Sequence, residues 1–220
     1  MSKKITTKEL FECHVPYIND LLEQHSYPWE AIRDIKTYIS YLLITGIEGF
    51  TKIKEGVLVG SNVKIADNVL IEAPSIIGNS CEIRHGAYLR GNIITGENCV
   101  IGNSTEIKNS ILLNFVQVPH YNYVGDSILG NYTHMGAGAI CSNLKADKKE
   151  IIIHADEDYK TDMRKIGAIL GDGVEIGCNC VLNPGTIIGK NTTVYPLTSV
   201  RGVIPENSIM KSSSVIELKK

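Results

Sequence analysis

The chain has 220 residues, a formal net charge of −2 and 43% hydrophobic residues. No apolar run approaches the roughly 18 residues of a membrane span, and the leading MSKKITTKELFECH lacks a signal-peptide core. A mildly acidic balance without a Lys/Arg stripe argues against nucleic-acid binding, so the sequence predicts a cytoplasmic protein with no nucleic-acid or membrane partner.

Residues 1–55 form a predicted helical segment. TTKELFECHVPYINDLLEQ reads as a first helix weakened by Pro16. SYPWEAIRDIKTYISYLLITG reads as a second, with Ser26 as N-cap and Pro28 in its first turn. From Val59 the chain falls into sixes: VGSNVK, IADNVL, IEAPSI, IGNSCE, IRHGAY, LRGNII, TGENCV, IGNSTE, IKNSIL and LNFVQV. Position one is aliphatic, position five is small or β-branched, and position two is often glycine. This is the signature of a parallel β-helix, with first and fifth residues pointing inward. The predicted fold is all-β, a β-helix over residues 56–210, with residues 211–220 as a solvated tail. Cys81, Cys99 and Cys180 occupy fifth positions and serve as core filler. With no C-x-x-C pair in the chain, its six cysteines are expected to stay reduced.

Two interruptions break the beat. After LNFVQV comes PHYNYVGDSI, and the pattern resumes four residues out of frame at Leu129. This reads as an inserted bulge that redirects side chains. Residues 141–169 then form an extruded loop, after which the repeat returns at Leu170.

If one coil takes 18 residues, Arg90 and Lys108 stack about 4.8 Å apart, the spacing of neighbouring strands. Glu72 lies one coil below. Two readings stay open at this point: a solvated ladder of mixed charge, or a phosphate clamp. The frame slip brings His120 out about one coil further on. Its unperturbed pKa near 6.5 suits a general base. The remaining histidines outside this region, and Asp126, read as surface and turn residues.

AYLRG, GNSTEIKNS, VPHYNYVGD, MGAGAICSN and the loop lysines resemble the C-terminal domain of the bifunctional UDP-N-acetylglucosamine pyrophosphorylase/glucosamine-1-phosphate acetyltransferases. The archaeal-type sugar-phosphate nucleotidyltransferases with acetyltransferase tails are similar too, including a helix that resembles Tyr27-Pro28-Trp29-Glu30. The resemblance implies a left-handed β-helix, a homotrimer with the loop crossing to a neighbour, and acetyl-CoA as co-substrate with no metal. It assigns Arg90 and Lys108 to the sugar phosphate, His120 to the catalytic base and Tyr123 to a substrate contact. Asn143 falls near the amino group and donor, and the backbone of Ala137 lines the acetyl site. Lys148 or Lys149 would reach the substrate phosphate. His134 stands where the family has a sugar-contacting asparagine, and Cys178 where it has a serine near the coenzyme. Tyr195 and, as the nearest basic candidate, Lys211 complete the coenzyme side.

The implied function is N-acetylation of an amino-sugar 1-phosphate or a nucleotide-linked amino sugar in nucleotide-sugar biosynthesis. The alternative is a non-catalytic β-helix that binds such sugars or partners a separate nucleotidyltransferase. Transfer to a hydroxyl is a third reading. No G-x-G-T-R-M-like loop occurs, so pyrophosphorylase activity is not expected.

Overall fold

In the computed structural model, which describes residues 4–219, the repeats wind a left-handed parallel β-helix of about nine turns. Its three walls are parallel sheets, here faces A, B and C in the order the chain visits them. Face A runs from Val57–Val59 to Val203–Ile204, with Thr51–Lys54 added antiparallel at one end. Face B runs from Lys64–Ile65 to Ser208–Ser212, and face C from Leu70–Ile71 to Ser199–Val200. The interior is an aliphatic column with Cys81, Cys99, Cys141 and Cys180 fully buried in it. Small thiols fit where the corner narrows, and each buried isoleucine adds roughly 2–3 kcal/mol.

The register corrects the reading of the frame slip. Strand partners lie 18 residues apart up to Tyr88↔Glu106 and Glu82↔Val100. They lie 17 apart for the next two coils, as in Glu106↔Tyr123 and Tyr123↔Ile140. Both missing residues come from one corner, between faces C and A. Arg90-Gly91-Asn92 turns that corner in one coil; Lys108-Asn109 and then Gly125-Asp126 turn it in the next two. In a six-residue frame, two residues lost and four gained look alike. The interior therefore takes Leu112, Val116 and Val118, while Ile111 and Leu113 face outward and Gln117 is exposed. The chain leaves the prism from that same corner one coil later, and returns at Ala168. The excursion covers 142–167, slightly shorter than the expected loop.

The helical segment is not an appendage. Three helices, α1 (Thr7–Leu10), α2 (Pro16–Glu23) and α3 (Pro28–Thr45), lie over face A. Pro16 starts α2 rather than weakening a longer helix, because its missing N–H costs nothing at a first turn. The N-cap of α3 is Tyr27, not Ser26, and Glu30 reaches back to the Tyr27 N–H at 3.0 Å. The outward residues of face A, including Ile76, Ile94, Ile111, Ile128 and Ile169, are completely buried beneath the helices and the excursion.

The excursion is an arm that packs on its own prism. Ile152–His154 and Asp158–Lys160 form its hairpin. Ile151, Ile153 and Ile166 join the face A cluster, Tyr159 meets Tyr27 and Trp29, and Arg33 Nη2 donates to the Thr161 carbonyl at 3.3 Å. The C-terminal residues also differ from a plain tail: Val215–Leu218 pairs antiparallel with Ser208–Ser212 and closes face B. Lys220 lies outside the described residues, as do residues 1–3.

Candidate functional site

Faces B and C are the walls left open, and the outward residues of face C follow from the register. Arg90 and Lys108 lie at equivalent positions of successive coils, where the Arg90 N–H donates to the Ile107 carbonyl at 2.8 Å. Each cation holds a carboxylate of its own: Arg90 Nη1 lies 2.6 Å from Glu106 Oε1, and Lys108 Nζ lies 3.2 Å from Asp126 Oδ2. Glu72 instead accepts the Tyr88 hydroxyl at 2.8 Å. The column is thus a ladder of alternating charge. Arg90–Glu106 is an exposed pair whose attraction water and salt screen, so an arriving anion can exchange for the carboxylate.

Asp126 is more than a turn residue. It sits in the left-handed region at φ 49° and is 4% exposed. Its carboxylate accepts from Lys108, from Asn109 Nδ2 at 2.8 Å and from Asn143 Nδ2. Its carbonyl accepts the Gly167 N–H at 2.8 Å, which ties the returning end of the arm to the corner. Gly125 continues the column of Arg90 and Lys108 without a side chain. A Cβ there would lie 2.6 Å from the Tyr123 hydroxyl and 2.8 Å from Asn143 Nδ2. A notch in face C is thus made by a short corner and a glycine, where the sequence predicted an inserted bulge. Asn143 Nδ2 also donates to the Tyr123 hydroxyl at 3.3 Å. Burial, with Asp126 and Glu106 nearby, raises the Tyr123 phenol above its ordinary pKa, so it stays protonated as a donor.

The other edge of face C is the corner shared with face B. His120 is exposed there, three residues before Tyr123. The carbonyl of His120 accepts the Gly138 N–H at 3.0 Å, that of Ala137 accepts the Asn179 N–H at 2.8 Å, and that of Cys178 accepts the Leu197 N–H at 2.9 Å. His120, Ala137 and Cys178 consequently stack along one corner, and exposed Tyr195 precedes the next step. Buried Asn122 fixes the corner by donating to the Gly136 carbonyl at 2.8 Å. The Gly136 N–H is already bonded to the Ile176 carbonyl at 2.7 Å. Among the described residues, the neighbouring Ala137 N–H has no acceptor.

The remaining candidates lie elsewhere. His134 is on face B, its Nδ1 2.9 Å from Glu175 Oε2 of the next coil. Lys148 and Lys149 are exposed on the arm beyond the Leu144↔Lys165 bridge. Lys211 lies at the far end of face B, paired with Glu217 at 2.6 Å. Asn109, Gly125 and Asp126 were not singled out as site residues by sequence. Gln117 at a position reserved for core residues was the available sign that the frame had already shifted. Among the described residues, no group of three or more His, Cys, Asp or Glu is arranged to hold a metal ion, and no helix is long and apolar enough to cross a membrane.

Residues 71–175 match the GMPPB C-terminal domain, and residues 167–202 match the bacterial transferase hexapeptide family of six repeats. The chain is 32% identical over 221 residues to a bifunctional GlmU protein of Methanococcus aeolicus, with 92% of this chain and 49% of the relative covered. It is 33% identical over 174 residues to a bifunctional sugar-1-phosphate nucleotidylyltransferase/acetyltransferase of Sulfurisphaera tokodaii, covering 77% and 43% respectively. The chain thus spans about half the length of the curated relatives it matches. Among solved structures, a UDP-N-acetylglucosamine acyltransferase from Campylobacter jejuni superposes with a TM-score of 0.53 at 14% identity, covering 74% of this chain and 64% of that one. This last likeness is one of fold.

Proposed function

The chain belongs to the hexapeptide-repeat family that includes the C-terminal half of GlmU-type bifunctional proteins, and on that premise we propose that it is an acetyl-CoA-dependent N-acetyltransferase of amino-sugar phosphates, linked or not to a nucleotide. The observation that carries the reading is the sharing of face C by Arg90, Lys108 and Tyr123, with His120 at its leading edge. The phosphate displaces Glu106 and Asp126 from the two cations. Tyr123 and Asn143 fill the space above the notch and meet the sugar.

The sugar amine attacks the thioester carbonyl. A C–N bond forms, the C–S bond breaks, and coenzyme A leaves as the thiol after His120 has taken the amine proton and returned it to sulfur. The free Ala137 N–H meets the oxyanion, which for one donor is worth about 3 kcal/mol. The rest comes from holding amine and thioester together. The coenzyme lies along the corner of Ala137, Cys178 and Tyr195. Because face A is covered, a homotrimer would join faces B and C, with its sites in the clefts; light scattering reads that mass directly. We place the reaction in the cytoplasm.

The test is a screen of acetyl-CoA against amino-sugar 1-phosphates and nucleotide-linked amino sugars, following free thiol. Thiol release with at least one acceptor is expected; none with any acceptor contradicts the reading. A second reading, a sugar-phosphate binder without catalysis or a partner subunit of a nucleotidyltransferase, draws support from the carboxylates that both cations already hold. In a thermal-shift measurement, coenzyme A stabilises the enzyme, whereas a binder responds only to sugar nucleotides.

A further inference from the structure

The corner that carries Lys108 and Asp126 opens on its far side into a groove of about 590 Å³ between α3, the two short corners and the arm. Asn109 and Asp126 line it beside Arg33 of α3 and Arg164 and Lys165 of the arm. The single carboxylate, Asp126, is held by Lys108, Asn109 and Asn143. The three outer cations are exposed and make no ion pair among the described residues. Two of them are aimed by carbonyls: Arg33 Nη2 donates to Thr161 O at 3.3 Å and Arg164 Nε to Lys148 O at 3.0 Å. Among the described residues, the other donors of each guanidinium have no partner. Cations gathered in one groove repel one another and favour an anion between them.

A sugar 1-phosphate is satisfied by Arg90 and Lys108 and would leave this groove unused. A second phosphate, carried around the corner past Asp126, would reach it. Leu144, 37% exposed, and half-buried Met163 add an apolar wall of the kind that receives a base or ribose. We propose that this groove binds the nucleoside diphosphate end of a nucleotide-linked amino sugar. The inference rests on the acetyltransferase reading for the placement of the first phosphate, and it selects the nucleotide-linked acceptor over the free sugar phosphate.

Calorimetry on the full chain uses UDP, GDP and dTDP as probes, with inorganic phosphate as control. At least one nucleoside diphosphate binds ten-fold or more tightly than phosphate, and the triple variant Arg33→Glu, Arg164→Glu, Lys165→Glu weakens it at least ten-fold. Arg164→Ala with Lys165→Ala, which removes charge without reversing it, is measured as well in case the triple variant melts early; a loss of at least three-fold is expected. In turnover, the same variants raise KM for a nucleotide-linked acceptor while KM for the sugar 1-phosphate stays within two-fold. Absence of nucleoside diphosphate binding, or affinity unmoved by the substitutions, overturns the proposal. Binding that the variants abolish in a protein that transfers no acetyl group upholds the groove and removes the transferase reading. Transfer to sugar 1-phosphates without nucleoside diphosphate binding does the reverse.

Discussion

Faces A and C follow the same six-residue rule, and their inward residues enter one shared core. They part company in what points outward. Face A presents Leu58, Ile76, Ile94, Ile111, Ile128 and Ile169 in a row, and the row is sealed by α2, α3 and the arm. Face C presents Tyr88, Glu106 and Tyr123 with Arg90 and Lys108 beside them, and no element of the chain covers it among the described residues. The period thus determines the prism, and the outward residues determine which wall is sealed and which stays open.

The strongest way to break this contrast is to place the same charge on both walls. Ile111→Asp buries an unpartnered carboxylate under α3 and is expected to cost about 4 kcal/mol or more. Tyr123→Asp, at a half-buried position on face C, should cost about 1–2 kcal/mol. Thermal denaturation of the pair reads the difference; equal losses would mean that face C is sealed as well. Asp126→Asn removes the charge that holds Lys108 and weakens the corner. A loss of about 1–3 kcal/mol is expected, with KM for the sugar phosphate altered more than kcat. Unchanged stability and unchanged KM would return Asp126 to the status of an ordinary turn residue.

The smallest effect distinguishes inside from outside by thiol chemistry. Exposed Cys178 should react with iodoacetamide at pH 8, while burial pushes the Cys141 thiol up to about 12 and keeps it unreactive. Cys13, pushed to about 11 by burial, follows the same rule. These raised values hold the folded thiols protonated after the unfolded chain's thiols, near 8.5, have ionised. The contribution of these two thiols to stability is therefore level below about pH 8.5 and falls as pH rises toward 12. Labelling of Cys141 as fast as Cys178 in the native protein would contradict the burial of the interior column.

Much of the prism was legible because hexad positions one and five report inward packing directly, and Cys81, Cys99 and Cys180 fell where the interior has room for little else. The nature of the frame slip was not legible, because a period of six cannot distinguish an insertion of four from a loss of two. Only strand register locates both losses at Lys108-Asn109 and Gly125-Asp126. The column of Arg90 and Lys108 could be read from an 18-residue coil, and the same spacing leads from Lys108 to Asp126, whereas Glu106 lies only 16 residues beyond Arg90 and falls outside it. The seat of the helices had a sign in the sequence. Isoleucine recurs at the sixth hexad position in IEAPSI and LRGNII, and a sixth position should face solvent unless something covers it.

The most direct test of face C as the chemical wall is steady-state acetyl transfer by the wild type and by His120→Ala, with folding compared by thermal melts. His120 is exposed and its ring carries no packing burden, so the melts should coincide while turnover falls by about 10²–10⁴. A variant that transfers acetyl groups at the wild-type rate would remove His120, and with it the proposed arrangement of face C.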